Sequence, residues 1–199
     1  MPGGRRPRAA RGAPAAPDRE PDRLRLLADL WLAEPSDDLV AALRRAPALA
    51  AAVPAGPAAA VRLELAVAWL DLVSRQVPPH ESVFLDPTAM LDAPATGRLR
   101  DTLARAGWSP PSGLRVPAVD QLGVALHALA DLHDRDGLAG AAATVLTDHL
   151  LVWLPLFGDA VAHAAVHPLY AAAADAAVEA VLALADRLPA AALPQSAAD

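Results

Sequence analysis

The chain lacks cysteine and lysine altogether, and only 4% of its 199 residues are aromatic. Without cysteine there is no disulfide, no thiolate metal site and no thiol nucleophile, and a reducing compartment suits it. Without lysine, every basic side chain is arginine. Together with heavy alanine use and 20 prolines, this reads as GC-rich coding bias rather than as a phosphate-binding or thermostability device. No useful stretch alternates apolar and polar residues, so strands are not expected. No Walker loop, dinucleotide fingerprint or G-x-S-x-G elbow occurs, and Ser74, Ser82 and Ser109 have no triad context. No uninterrupted apolar run reaches about 18 residues, so no membrane-spanning helix is expected.

What remains is apolar and helix-forming. Hydrophobic residues make up 54%, mostly Ala, Leu and Val. This composition predicts an all-α fold, and the length suits one domain. The net charge of -6 is unevenly spread, with Arg5, Arg6, Arg8, Arg11 and Arg19 near the start against Asp18 and Glu20. The body is therefore more acidic than the total. That excludes nucleic acid as the expected partner and suits a basic peptide. Arg5-Arg6 is followed by the polar, proline-broken "PRAARGAPAAPDREPDR" and not by an apolar segment, so it does not read as an export leader. Residues 1–21 are expected to be a disordered basic tail, 22–188 a helical domain and 189–199 a frayed end.

Helical spacing places helices at Asp22–Leu32 with Asp22 as cap, and after Ser36 over "DDLVAALRRA". Residues 47–57 read as a proline-broken loop. A long helix over Ala58–Gln76 carries Leu63, Val67, Leu70 and Val73 on one side. Further helices are expected at Leu99–Ala106, Asp120–His133, Leu138–Trp153, Gly158–Val166 and Leu169–Leu188, with a kink or restart at Pro155. "VPPHESVFLDP" and residues 108–118 are proline-rich hinges dividing an N-terminal helical part from a C-terminal one.

The polar residues give little catalytic promise. His163 and His167 share a helix face, but no Glu follows the first His and Pro168 ends the turn. His127, Asp131 and His133 read as a solvated face. A metal-dependent enzyme using His127, Asp131 and His163 stays a minor reading, which metal analysis of the pure protein tests. Asp148-His149 opens the oily stretch "TDHLLVWLPLFGD", yet adjacent helix residues diverge by about 100° and do not form a dyad. Asp37-Asp38 suits a helix N-terminus. No catalytic, metal or cofactor site is assembled.

Four segments in order resemble the TorD/DmsD family of cytoplasmic molybdoenzyme chaperones, over roughly residues 60–185. "HLLVWLPLF" supplies His149, Leu150, Trp153 and Phe157; "PPHESVFLD" supplies Pro79 and Ser82; "VDQLGVALHAL" resembles an Asp-His-x-Gly helix start; "HPLYAAAA" supplies Pro168 and Tyr170. The departures are His80 at a position often Trp, Phe84 for Tyr, and Gln121 for the His of the Asp-His pair. The resemblance implies a binding protein, not an enzyme and without a cofactor. It would be a cytoplasmic monomer or dimer that holds the twin-arginine leader and body of a molybdopterin oxidoreductase catalytic subunit until its cofactor is inserted.

A leader offers two arginines and then an apolar helix, so its receptor needs carboxylates beside an apolar groove. Glu81, Asp86 and Asp120 are the candidate acids, Trp69, Val83 and Phe84 the groove walls, with Gln121 alongside. Asp120 as a helix cap and Phe84 as core packing are the plain alternatives. If Asp120 is a ligand, Asp120→Ala weakens peptide binding with little loss of helicity. A helical regulatory or scaffold protein of the same fold, without leader recognition, is the competing function.

Overall fold

The computed structural model describes residues 19–91, 93–110, 118–164 and 166–188. The expected tail and frayed end therefore lie almost wholly outside the described residues, as does most of the second hinge. Helices dominate and no strand forms among the described residues. In order they are α1 (Glu20–Leu32), α2 (Asp37–Leu43), α3 (Pro47–Ala50), α4 (Ala58–Asp71), a π-helical turn π1 (Leu72–Gln76), α5 (Glu81–Leu85), α6 (Pro94–Arg105), α7 (Leu122–Asp136), α8 (Gly140–Thr144), a second π-helical turn π2 (Val145–Leu150), α9 (Leu151–His163) and α10 (Pro168–Ala185).

One apolar core joins α1 to α10. Trp31, Trp153, Phe157 and Tyr170 are its largest buried side chains. Trp31 meets Phe157 edge-on at 5.1 Å and Tyr170 at 5.9 Å between ring centroids. The Tyr170 hydroxyl donates to the Leu65 carbonyl at 2.9 Å, so the ring's polar tip is satisfied inside the core. Burial pushes that phenol's pKa up. The expected division at the hinges is not spatial: α1 packs chiefly on α7 and also on α10, across both hinges.

Several boundaries differ from the sequence pattern. Helix α1 starts at Glu20, with Arg19 at the cap and Pro21 in the first turn, so Asp22 is a first-turn acid and not the cap. Ser36 caps α2 as expected, accepting the Leu39 N–H at 3.1 Å. Residues 47–50 form α3 because a proline at the first helical position loses no hydrogen bond. Helix α6 starts at Pro94 for the same reason, not at Leu99. The hinge contains the short helix α5. Helix α10 ends at Ala185.

Pro155 does not restart the chain. Helix runs unbroken from Gly140 to His163, with Pro155 and Gly158 inside it. The irregular geometry falls earlier, at π2. This helix and α10 are long and apolar enough to cross a membrane by length and composition, contrary to the sequence expectation. Both instead bury one face in the core, through Trp153, Leu154, Phe157 and Val161 in α9 and Leu169, Tyr170, Val181 and Leu184 in α10.

The stripe on α4 faces outward. Leu63, Val67 and Leu70 are 64%, 62% and 46% exposed, while Val61, Leu65 and Ala66 carry the buried side. Spacing alone does not say which of two apolar faces the core takes.

Candidate functional site

The hinge, the start of α7 and the π2 turn converge. Pro78 and Pro79 stop the preceding helix and leave the chain extended. His80 then pairs with Gln121 as an isolated antiparallel bridge. The Glu81 N–H donates to the Asp120 carbonyl at 3.0 Å, and the Leu122 N–H to the Pro79 carbonyl at 2.8 Å. Two segments forty residues apart are thereby stitched backbone to backbone.

Helix α7 begins at Leu122 and not at Asp120, because Gln121 is its cap. The Gln121 side-chain oxygen accepts from the Gly123 N–H at 2.6 Å and the Val124 N–H at 3.3 Å. Its amide nitrogen donates to the Trp31 carbonyl, fixing the end of α1 as well. Asp120 is fully buried beneath the hinge. One of its oxygens accepts the Ser82 N–H at 3.0 Å, and the other lies 3.6 Å from the His80 ring. Burial raises its pKa, but the His80 ring and Ser82 outweigh that and hold the carboxyl down at about 2.

Glu81 is 1% exposed. It meets His149, also buried, at 3.0 Å from Nδ1, and the far ring nitrogen lies 3.3 Å from the Thr102 hydroxyl. Burial pushes the Glu81 carboxyl above its ordinary range despite the His149 contact. His149 reaches inward from π2, while neighbouring Asp148 is exposed and takes the Thr147 hydroxyl. The sequence pair thus splits between solvent and core. Helix α5 is also fixed by aromatics: Phe84 stacks on Trp153 at 5.5 Å and meets Phe157 edge-on at 5.9 Å.

The structure therefore brings together Pro79, Glu81, Ser82, Phe84, Asp120, Gln121, His149, Trp153 and Phe157, and Leu150 is buried beside them. Val83 is half-buried on α5. Asp86 stands at the end of α5, where it accepts from the Thr88 N–H at 3.0 Å and hydroxyl at 2.7 Å. The Thr88 donors, with Arg98 adding its charge, hold its carboxyl below the ordinary range. Trp69 is half-buried on α4, away from the stripe. Pro168 opens α10 and Tyr170 lies in its first turn.

The sequence reading missed Thr102 and Arg98. Arg98 on α6 is 59% exposed and approaches Glu81 to 4.0 Å. No motif marks either residue; only the turn of α6 toward α5 reveals them.

The histidine sets considered for metal have separate partners. His127 pairs with Asp29 at 2.9 Å, while Asp131 holds Arg25 at 2.8 Å and the Trp108 ring N–H at 3.0 Å. His163 bonds the Asp159 carbonyl, and His167 caps α10 while meeting Glu64 at 3.2 Å. No group of three or more potential ligands gathers among the described residues.

The family described as nitrate reductase delta subunit matches residues 36–159, well over half of the chain. That span runs from the α2 cap through the hinge and α7 into α9. No curated protein sequence matches the chain.

Proposed function

Because the chain belongs to the nitrate reductase delta subunit family, a family of molybdoenzyme maturation chaperones, we propose that it binds the twin-arginine leader and body of a molybdopterin oxidoreductase catalytic subunit in the cytoplasm. It holds that subunit until the cofactor is in place. The family's description makes a nitrate-reductase-type subunit the first client to test.

The exposed stripe on α4 carries this reading. Leu63, Val67 and Leu70 stand at i, i+4 and i+7, so they form one apolar line along the helix. Glu64 and Asp71 follow the same edge, about 80–100° round from it. An apolar line edged by carboxylates matches an apolar helix headed by arginines. The stripe runs out at π1, and π1 leads into the hinge that carries Val83, Phe84 and Asp86. The leader's apolar helix lies on α4 and its arginines reach Asp86 and the edge of Glu81. Asp120 and Gln121 act from below by fixing the hinge, since both are buried and internally partnered.

The scaffold alternative drew its support from Gln121 standing where the family has His. Gln121 is occupied as a cap, so that departure bears on helix α7 more than on any peptide surface. A pull-down separates the two readings: a molybdoenzyme subunit supports the chaperone, an unrelated partner the scaffold. Calorimetric titration with twin-arginine leader peptides tests the proposal directly. Saturable binding that Val67→Asp abolishes supports it, and no binding to any such leader, the nitrate-reductase type included, overturns it.

A further inference from the structure

We infer that Arg98 is a resident stand-in for a client's arginine: its guanidinium occupies the mouth of Glu81 in the free protein and must leave for a partner's guanidinium to enter. The inference rests on the leader-binding reading for the identity of the partner, but not for the existence of the cation site.

The geometry has two sides. On the inner side, Glu81 is 1% exposed and its carboxylate faces His149 at 3.0 Å and 3.3 Å. On the outer side, Arg98 comes to 4.0 Å of Oε1 while keeping 59% of its own side chain exposed. A group that is mostly in water yet touches a buried carboxylate shows that this carboxylate is approachable from solvent along one line. Arg98 occupies that line.

The charge at this mouth is shared. Arg98 also lowers the pKa of Asp86, which is held down chiefly by its Thr88 donors. Two of the three acids that the sequence nominates for leader arginines thus lie in the field of one internal arginine. A guanidinium fits such a site better than an ammonium, because its flat fork presents paired donors matched to a carboxylate. The contact at 4.0 Å is too long for a hydrogen bond, so a better-placed guanidinium gains what Arg98 does not. The contact is long and its guanidinium is mostly solvated, so displacement is easy and the effect on a competitor modest.

The test uses the full chain with Arg98→Ala, a surface change that leaves the core untouched, and Arg98→Lys as a charge-keeping control. The probe is arginine amide, followed by saturable chemical-shift changes of the His149 ring and by thermal shift. In Arg98→Ala the probe is expected to bind and stabilise, with little effect on wild type and an intermediate one on Arg98→Lys. Equal response of wild type and Arg98→Ala, or no response in either, overturns the inference. Leader peptide is titrated in parallel, with affinity expected to rise roughly twofold to fivefold in Arg98→Ala. Weaker peptide binding in Arg98→Ala makes Arg98 a direct contact and also overturns the inference. If Arg98→Ala takes arginine amide and neither protein takes leader peptide, the stand-in holds and the leader reading falls.

Discussion

Asp120 and Glu81 are both buried carboxylates, and their surroundings pull them in opposite directions. Asp120 is held at about 2, below its ordinary 3.8, so folding favours its charged form. That stability is complete above about pH 4 and is lost as pH falls toward 2. The shift is worth about 2 kcal/mol. Asp120→Asn is therefore expected to lose about that much at neutral pH and to approach wild type near pH 2, read by urea unfolding across that range. Asp120→Ala loses stability as well, because the Ser82 N–H is left without its acceptor. Glu81 is raised above 4.5, so folding favours its neutral form. Its contribution is present below that value and fades as pH rises through the raised pKa. The stability gap between wild type and Glu81→Gln should therefore shrink or reverse on going from about pH 4 toward neutral. The sequence named both acids, but not their burial. Two hydrogen-bonded carboxylates under a hinge look the same in one dimension as two on its surface.

At the scale of elements, the helix α1–α7 contact turns on one glycine. A Cβ at Gly123 would sit 2.5 Å from the Ala28 carbonyl oxygen and 2.5 Å from Leu32 Cγ. The backbone oxygen cannot move aside without moving α1. Gly123→Ala is therefore expected to cost about 2–3 kcal/mol, seen as a lower urea midpoint with an unchanged slope. Gln121→Ala removes the α7 cap and its tie to α1, and should cost about 1–2 kcal/mol in the same assay. Periodicity located α1, α2, α7 and α10, because each has a regular apolar face, although α1 and α7 start elsewhere than the pattern put them. It failed at prolines. Pro47 and Pro94 open helices, and Pro155 sits within one, where only the Leu151 carbonyl loses its donor. It also failed at π1 and π2, where an extra residue per turn breaks the 3.6 count.

At the scale of the molecule, the all-α class and the ordered family segments were legible, because composition and motif order do not depend on boundaries. The convergence of three segments on Glu81 and His149 was not, since it joins α5, α6 and π2 through contacts distant in sequence. Nor was the outward turn of α4. Val67→Asp on that face tests the division between fold and function. It should leave thermal stability within about 0.5 kcal/mol of wild type, because the side chain is already exposed. Client binding, measured by calorimetry or pull-down, should fall sharply.

The packing of α1 on α7 and α10 also sets an order in time. Of the described helices α1 is made first, yet the aromatic rings that meet Trp31 belong to helices made much later. Until α7 and then α9 and α10 emerge, its apolar face is covered only in part, by α2, and the long apolar helix from Gly140 to His163, which meets α5, α6 and α7, still lacks the cover that α10 gives it. Folding is thus completed only after most of the chain has been synthesised, through contacts of high sequence separation that form slowly. A nascent chain stalled before α10 should consequently be protease-sensitive throughout, and one released past it protected from α1 to α10 together. During its own synthesis, this member of a maturation-chaperone family is itself apolar and unclosed until its last helices emerge.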